Sequence, residues 1–324
     1  MTGTTLAIDF GTSNTVAAVR RPDGRTGQVL FDGSPVLPSA VYAESDGTLL
    51  VGRDALHAAR LAPERFEPNP KQHVDDGTVL LGGDVAVPDL FAAVLARVAD
   101  EATRVATGID ALVLTHPVNW GTRRRQVLTD AARRAGLPVP TLLAEPVAAA
   151  RHHLADDGPH PPGPLIVYDL GGGTLDVSVV AGDEVLASDG LVDTGGLDVD
   201  AALLAYLAAT YHDRDPEAWQ RIHRPASAAD RRHRRQLLDD LRTAKELLSR
   251  SAQTFVHLPL LDVDAPVGRE QLEAVSAPLV DRTVRATRAA LAAAGLGVPP
   301  RATLYLIGGA SRMPLVATIL HREL

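Results

Sequence analysis

The chain has 324 residues, no cysteine, a formal net charge of −8 at pH 7, and 45% hydrophobic against 22% charged residues. This length and composition suit two globular domains, and the missing thiols exclude disulfides, thiol catalysis and cysteine-ligated zinc. The negative charge argues against nucleic acid as a partner, no apolar run approaches the roughly 18 residues of a membrane span, and the first residues do not resemble a signal peptide. We therefore expect a cytoplasmic protein.

Nearly all basic residues of the chain are arginine. Of the 32 basic side chains, 30 are arginine and two are lysine, Lys71 and Lys245. A GC-rich genome would favour arginine codons everywhere. Arginine is a planar fork of donors, whereas lysine is a compact point charge. Our hypothesis is that both lysines occupy positions where arginine does not fit.

The first half of the chain mixes short apolar stretches with helical periodicity. Residues 60–77 are rich in proline and charge and suggest irregular structure. In chain order, the patterns predict strands over residues 5–10, 15–20, 28–31, 40–42, 48–51 and 111–115, and helices over residues 89–105, 122–135 and 145–154.

The second half follows a segment rich in proline and glycine, residues 155–164, which is typical of a linker. Two strands, one on each side of a glycine turn, are predicted next, and helices dominate afterwards. The predicted strands cover residues 165–169, 175–180 and 303–307, and the predicted helices cover 199–211, 229–249, 272–294 and a last segment from about Pro314.

One element occurs twice. Asp9 begins the string DFGTSNTVAAV, and about 160 residues later Asp169 begins DLGGGTLDVSV. Each string is the end of an apolar strand, an aspartate, a tight glycine turn and the second strand of a hairpin. A duplicated element indicates two related lobes. We expect the two hairpins to face each other, so that both lobes present backbone N–H groups and one aspartate to a central cleft.

Glycine turns and aspartates together favour phosphate chemistry. Glycine lets the backbone approach a ligand closely, and successive N–H groups form anion-binding concavities. Carboxylates suit Mg²⁺, which keeps most of its water. The pattern therefore predicts a site for a nucleoside di- or triphosphate with Mg²⁺. Neither the P-loop motif nor G-x-G-x-x-G occurs in the sequence, so those two phosphate-binding folds have no support.

Four strings carry a family resemblance: DFGTSNT from Asp9, AEPVAAA from Ala144, YDLGGGTLDVS from Tyr168 and LIGGASRMP from Leu306. In this order and spacing the sequence resembles the nucleotide-binding domain of the DnaK-type heat-shock chaperones, in the actin/hexokinase superfamily. The resemblance implies an α/β, actin-like ATPase fold with two related lobes of mixed sheets and helices around a central nucleotide cleft. Residues 1–160 would form lobe I, with a small subdomain at about 32–88. Residues 161–324 would form lobe II, with a helical subdomain at about 201–302.

The resemblance also implies roles for single residues, in a protein that binds ATP or ADP with Mg²⁺ and hydrolyses ATP slowly. The catalytic residues would be Lys71 beside the γ-phosphate, Glu145 beside the attacking water, Asp169 and Thr174. Asp9 and Asp169 would hold Mg²⁺ through water. The nucleotide would be bound by Gly11, Thr12, Ser13, Asn14, Gly171, Gly172, Gly173, Gly195, Gly196, Asp198, Lys245, Ser249, Gly308, Gly309, Ser311 and Arg312, of which Lys245, Ser249 and Arg312 would lie at the adenosine.

Some positions depart from the family pattern. Arg242 and Glu246 change the charge order on the helix that would face the adenosine, and Leu197 replaces the acid usual in the third glycine turn. Pro117 and Arg125 resemble the proline switch and arginine relay that couple the nucleotide state to the peptide-binding domain. That domain is absent from the chain, so we expect client peptides to need a further C-terminal region. A nucleotide exchange factor and a J-domain co-chaperone are the other partners that the resemblance implies.

Three alternatives share the same site chemistry. A filament-forming actin relative would assemble with ATP, a small-molecule kinase would need a base facing an acceptor hydroxyl, and a nucleotide sensor would bind without turnover. The arginine clusters at residues 123–125 and 231–235 are interpreted as solvated helix faces rather than as a nucleic-acid surface.

Overall fold

The structure is a computed structural model that describes residues 3–106, 108–155 and 163–324. These residues fold into two compact units, Met1–Ala148 and Ala149–Leu324, called the first and the second unit below. The predicted lobe boundary at residues 160/161 and most of the predicted linker lie outside the described residues.

The first unit contains a six-stranded mixed sheet and smaller sheets beside it. Its strands are β1 (Thr5–Phe10), β2 (Asn14–Arg20), β3 (Thr26–Gln28), β4 (Leu37–Pro38), β5 (Val41–Ala43), β6 (Leu49–Val51), β7 (Phe66–Glu67), β8 (Thr78–Leu80), β9 (Asp84–Ala86), β10 (Ala111–His116) and β11 (Pro140–Ala144). Its helices are α1 (Arg53–Ala58), α2 (Val87–Val105), α3 (Thr122–Arg134) and the start of α4 (Glu145–Ala155), with short 3₁₀ turns at Pro63–Arg65 and Pro70–His73.

Alternation along β1 decides which side chains enter the core and which reach the site. Leu6, Ile8 and Phe10 are at most 1% exposed, and Phe10 packs edge-on against Phe91 of α2, with ring centroids 4.7 Å apart. Since successive residues of a strand point to opposite faces, Asp9 lies on the other face and is exposed. In the sheet order β11-β10-β1-β2-β3, β10 lies beside β1 and runs parallel to it.

The second unit is built around a four-stranded sheet of order β14-β13-β12-β17 and a separate two-stranded sheet, β15-β16. Tyr168 and Trp219 are among its largest buried side chains, and the Tyr168 hydroxyl donates to Thr283 Oγ1 at 2.7 Å. The strands are β12 (Leu165–Leu170), β13 (Thr174–Ala181), β14 (Glu184–Val192), β15 (Gln253–Leu258), β16 (Val263–Gly268) and β17 (Thr303–Ile307). The helices are α5 (Gly196–Tyr211), α6 (Pro216–His223), α7 (Ala228–Leu248), α8 (Arg269–Ala293) and α9 (Pro314–Glu323).

The predicted duplication is present in the backbone. The β1–β2 turn is closed by a hydrogen bond from Gly11 N to Asn14 O (3.1 Å), and the β12–β13 turn by the equivalent bond from Gly171 N to Thr174 O (3.0 Å). Both hairpins are antiparallel, and the first strand of each has a parallel neighbour on its other side, β10 in the first unit and β17 in the second. The prediction of two related α/β lobes is therefore confirmed.

Two of the sequence predictions need correction. The strand predicted over residues 28–31 is displaced to β3, which ends at Gln28. Beyond it, Val29 N still donates to Ala17 O (2.8 Å) and Phe31 pairs with Ser34 in a tight turn, while both apolar side chains are 1% exposed. The arginine cluster at 231–235 is a solvated face only in part, since Arg232 alone of the five is exposed. Arg234 instead donates to the carbonyl of His223 (2.9 Å), at the end of α6.

Candidate functional site

The turn that follows β1 is held from both sides. Thr115 Oγ1, on the neighbouring strand β10, donates to Asp9 Oδ1 at 2.7 Å. The Ser39 hydroxyl donates to the Gly11 carbonyl (2.9 Å), and the Ser39 N–H donates to the Ser13 carbonyl (3.0 Å). A Cβ on Gly11 would lie only 2.4 Å from the Asn14 carbonyl oxygen, so the turn requires glycine there.

Lys71 and Glu145 are brought together although 74 positions separate them in the chain. Lys71 Nζ donates to Glu145 Oε1 at 2.9 Å, and the two side chains are 10% and 15% exposed. The ammonium also lies 5.3 Å from the ring centroid of Trp120, within the range of a cation–π interaction. The structure thus places the two predicted catalytic residues of the first unit in direct contact.

The segment that carries Lys71 is tied to the turn after β1. Lys71 lies in the 3₁₀ turn Pro70–His73, and the residue before that turn, Asn69, accepts a hydrogen bond from Ser13 Oγ at 3.2 Å. Ser13, Lys71 and Glu145 are therefore linked, through the Ser13–Asn69 hydrogen bond, the short segment Asn69–Lys71 and the Lys71–Glu145 ion pair. No sequence pattern marks Asn69 or Ser39, whereas the end of a parallel strand is a known place for functional side chains and could have indicated Thr115.

Two histidines lie near this cluster. His116 is buried, and burial lowers its pKa; Nδ1 is 2.8 Å from the carbonyl of Pro117, which requires the proton on Nδ1. For His73, burial favours the neutral ring, but the contacts with Asp76 (2.7 Å) and Glu67 (3.0 Å) outweigh it and raise the pKa. His73 is therefore the histidine of this region whose contacts favour protonation.

In the second unit, the turn after β12 meets the glycine turn that begins α5. Gly196 N donates to Gly171 O (3.0 Å), and Leu197 N donates to Gly172 O (2.7 Å). A Cβ on Gly195 would lie 2.6 Å from Gly172 O, so the two turns can pack only with glycine at 195.

A third glycine turn closes on Asp169 from the end of β17. Gly308 has a φ of +83°, and a Cβ there would lie 2.3 Å from Leu170 O and 2.5 Å from Asp169 Oδ1. The Ser311 hydroxyl donates to Gly308 O (2.7 Å) and holds this turn. Three predicted glycine turns thus converge near one predicted carboxylate.

Asp198 and Thr174 have local partners. Asp198 Oδ2 accepts from the N–H of Gly195 (2.8 Å) at the start of α5, and burial raises the pKa of this carboxyl. Thr174 Oγ1 donates to Asp176 Oδ2 at 3.3 Å, and both residues belong to β13. Asp198 therefore braces the Gly195–Gly196 turn, whereas the contact of Thr174 lies within its own strand, β13.

The predicted adenosine residues lie in two places. Lys245 is 8% exposed; its Nζ donates to Gly196 O (2.6 Å) and pairs with Asp200 Oδ1 (2.8 Å). Ser249 lies one helical turn later and lines a narrow crevice with Met313, the residue that follows Arg312. The structure therefore joins Lys245 to the glycine turns. Asp200 was not predicted, because no motif distinguishes it from other acids in helices.

Within each unit, the chemistry of these residues suits phosphate oxygens and a hydrated metal ion. Gly11, Gly195 and Gly308 leave no room for a Cβ, so these turns present backbone, as phosphate-binding turns require. Lys71 offers a point charge, and Asp9 and Asp169 offer the hard oxygen ligands that Mg²⁺ prefers.

Comparison with known proteins decides the family. The sequence profile of the family described as Hsp70 protein matches residues 68–323. The chain belongs to the Hsp70 family. Hsp70 proteins have the actin-like ATPase fold, so the family and the fold class predicted from the sequence are both confirmed.

Relatives within the Hsp70 family are named as chaperones. The chain is 33% identical over 329 residues to the chaperone protein DnaK of Halobacterium salinarum, and the match covers 96% of this chain and 50% of that protein. Chaperone protein HscA homologs of Bordetella petrii and Bordetella pertussis are 34% and 36% identical over 343 residues, again over 96% of this chain and 52% of theirs. The chain thus spans about half the length of the Hsp70 relatives it matches.

Among residues 3–106, 108–155 and 163–324, no helix combines the length and the hydrophobicity needed to cross a bilayer.

Proposed function

We propose that this chain binds Mg-ATP and hydrolyses it slowly to ADP and phosphate, as the nucleotide switch of a DnaK-type chaperone. The observation that carries the proposal is the Lys71–Glu145 ion pair beside the Gly11–Asn14 turn, in a chain of the Hsp70 family. Transfer of a phosphoryl group to water needs little covalent help. It needs positioning and neutralisation of the charge on the transferred group.

In the first unit, the turn of Gly11, Thr12, Ser13 and Asn14 would bind the β- and γ-phosphates. Lys71 would neutralise the γ-phosphate, and Glu145 would orient the attacking water. The 2.9 Å bond between the two side chains supports this division, because each fixes the rotamer of the other before substrate arrives.

In the second unit, the turn Gly171–Thr174 would bind phosphate, supported by the Gly195–Gly196 turn and Asp198. Asp9 and Asp169 would hold the hydrated Mg²⁺, which neutralises phosphate charge when bound. The residues proposed for the nucleoside are Lys245, Ser249, Gly308, Gly309, Ser311 and Arg312.

Family membership favours a chaperone switch over a filament-forming or purely sensing protein. We propose that a J-domain co-chaperone and a nucleotide exchange factor act on this domain. Client peptides would bind a region that corresponds to the half of the relatives this chain does not match. We propose a cytoplasmic location by the same analogy.

A single-turnover experiment tests the proposal. The chain is loaded with a stoichiometric amount of ATP and Mg²⁺, and phosphate release is followed over hours, with affinity measured separately by calorimetry. We expect slow release that chelation of Mg²⁺ abolishes and that Glu145→Gln slows about tenfold or more. Tight binding without phosphate release would mean that the protein is a nucleotide sensor and not an ATPase. Light scattering that grows with ATP and protein concentration would instead indicate a filament.

A further inference from the structure

The ammonium group of Lys245 is buried, and its partners are groups of the protein. Its ammonium donates to the carbonyl of Gly196 at 2.6 Å and pairs with the Asp200 carboxylate at 2.8 Å. Lys245 and Asp200 are 8% and 5% exposed. The three residues belong to two helices, since Lys245 lies near the end of α7 and the other two in the first turns of α5.

The carbonyl that Lys245 holds belongs to a turn with a further bond. The N–H of Gly196 donates to Gly171 O (3.0 Å), in the turn proposed to bind phosphate. The contacts therefore run without a gap from Asp200 through Lys245 and Gly196 to Gly171.

We propose that Asp200 is a positioning residue that acts through Lys245 to fix the Gly195–Gly196 turn, and through it the phosphate turn Gly171–Thr174. This inference rests on the proposed nucleotide function. It gives Asp200 a role, and it gives Lys245 the support of the phosphate turn as a second role besides the nucleoside contact proposed above.

The chemistry of the pair supports a positioning role. A buried ion pair adds little net stability, because desolvation of both charges offsets their attraction, but it fixes geometry. Burial raises the pKa of Asp200, and the Lys245 charge opposes that effect. Without the carboxylate, Lys245 would be a buried cation facing one carbonyl, an arrangement that costs free energy.

The lack of space around the ammonium group explains why position 245 is lysine and not arginine. A Cβ on Gly196 would lie 3.1 Å from Lys245 Nζ, so the ammonium already touches the backbone. The wider guanidinium of arginine would push the turn away.

The test compares two ligands that share phosphate and differ in adenosine: Mg-ADP and Mg-pyrophosphate. Their affinities are measured by calorimetry for the wild type and for the double variant Asp200→Asn/Lys245→Met, which leaves no unpaired buried charge. We expect both ligands to bind about tenfold more weakly to the variant, as is usual when a supporting contact is removed. The matched control is Arg151→Met/Asp183→Asn, which removes an ion pair whose side chains are 56% and 66% exposed, and it should bind like the wild type.

Each other result has a definite meaning. If only ADP binding weakens, Lys245 serves the nucleoside alone and the proposal is wrong; unchanged affinity for both ligands also overturns it. If the double variant does not fold, Lys245→Arg supplies the same comparison, with a loss for both ligands expected. A wild type that binds neither ligand contradicts the proposed function itself, which distinguishes the two failures.

Discussion

Both lysines of this arginine-rich chain lie in buried ion pairs with a carboxylate. The side chains of Lys71–Glu145 are 10% and 15% exposed, and those of Lys245–Asp200 are 10% and 7%. By contrast, the arginine of a pair such as Arg151–Asp183 is more than half exposed. The sequence count indicated that these two positions are special, and the structure shows narrow sites for a point charge. Glu145 was predicted as a residue of the same site but not as the partner of Lys71, and Asp200 was not predicted at all, because each pair joins distant segments.

Lys71→Arg should therefore be a costly change. Arginine cannot keep the 2.9 Å bond to Glu145 without moving against Trp120, so the positive charge would shift. We expect turnover to fall by about an order of magnitude or more while ATP still binds, since the lost interaction belongs to the transition state. Single-turnover hydrolysis and calorimetry check the two parts.

Arg151→Lys is the matched control for that change, because it exchanges the same two residue types in an exposed pair. Near-normal turnover of Lys71→Arg would mean that lysine at position 71 is a chance exception to the codon bias towards arginine.

His73 predicts a pH dependence of stability. Its contacts with Asp76 and Glu67 raise its folded pKa above the unfolded value of about 6.5. A raised pKa contributes stability that is fully present below the unfolded pKa and is lost as pH rises through the folded pKa. We expect the free energy of unfolding to fall more steeply above about pH 6.5 in the wild type than in His73→Gln.

Chemical denaturation at several pH values measures this difference. His116, whose pKa is lowered, gives the opposite slope but is common to both proteins, so it cancels in the comparison. Parallel pH curves would show that His73 is not protonated in its pair of carboxylates.

At the level of elements, the sequence predicted the parts with strong periodicity. β1, β12 and β17 begin where apolar runs begin, and α2 and α3 follow their helical spacing. β14 was missed because its burial alternates only between exposed and half-buried positions, which weakens the apolar pattern. α6 was missed although Asp215 accepts from Ala218 N as its N-cap; an aspartate followed by proline is a start signal for a helix.

The glycine turn after β17 predicts a contrast between adjacent residues. Gly308 has a positive φ, and a Cβ there would meet Leu170 O at 2.3 Å, whereas a Cβ on Gly309 would meet nothing within 4 Å. We expect Gly308→Ala to lower the free energy of unfolding of the second unit by about 1–3 kcal/mol, the usual cost of backbone strain.

Gly309→Ala is the control and should leave stability unchanged or slightly higher, because its backbone is already helical. Denaturant unfolding of both variants measures the difference. Equal stability of the two would mean that the turn relaxes without cost.

At the scale of the whole molecule, two units repeat one plan, and each has its own buried core. The repeat was predictable because the two aspartate–glycine strings are legible in the sequence. The contacts that hold each turn were not, because Ser39 and Asn69 come from segments without a distinctive pattern, and the Gly195–Gly196 turn was predicted to bind the nucleotide rather than to donate to the turn after β12.

Mg-ATP should protect backbone amides in both units if the function is as proposed. A ligand that binds the folded state alone at 100 times its Kd adds about 2.7 kcal/mol of stability. We expect slower hydrogen exchange at the turns Gly11–Asn14 and Gly171–Thr174 together, measured by mass spectrometry with and without Mg-ATP. Protection of one turn alone would contradict a nucleotide bound by both sets of residues.

The two glycine turns differ in what fixes them. Hydroxyl side chains contribute to the first turn, because Ser39 donates to Gly11 O and Thr115 donates to Asp9, beside one backbone bond from Ser39 N to Ser13 O. The second turn accepts two backbone bonds, from Gly196 N and Leu197 N. A point mutation can therefore loosen the first turn without disturbing the path of the chain, but the donors of the second survive most side-chain exchanges. If the proposed function is correct, single substitutions at Ser39 or Thr115 should change nucleotide affinity in small steps, whereas the geometry of the second turn should persist until an insertion or deletion displaces its backbone donors.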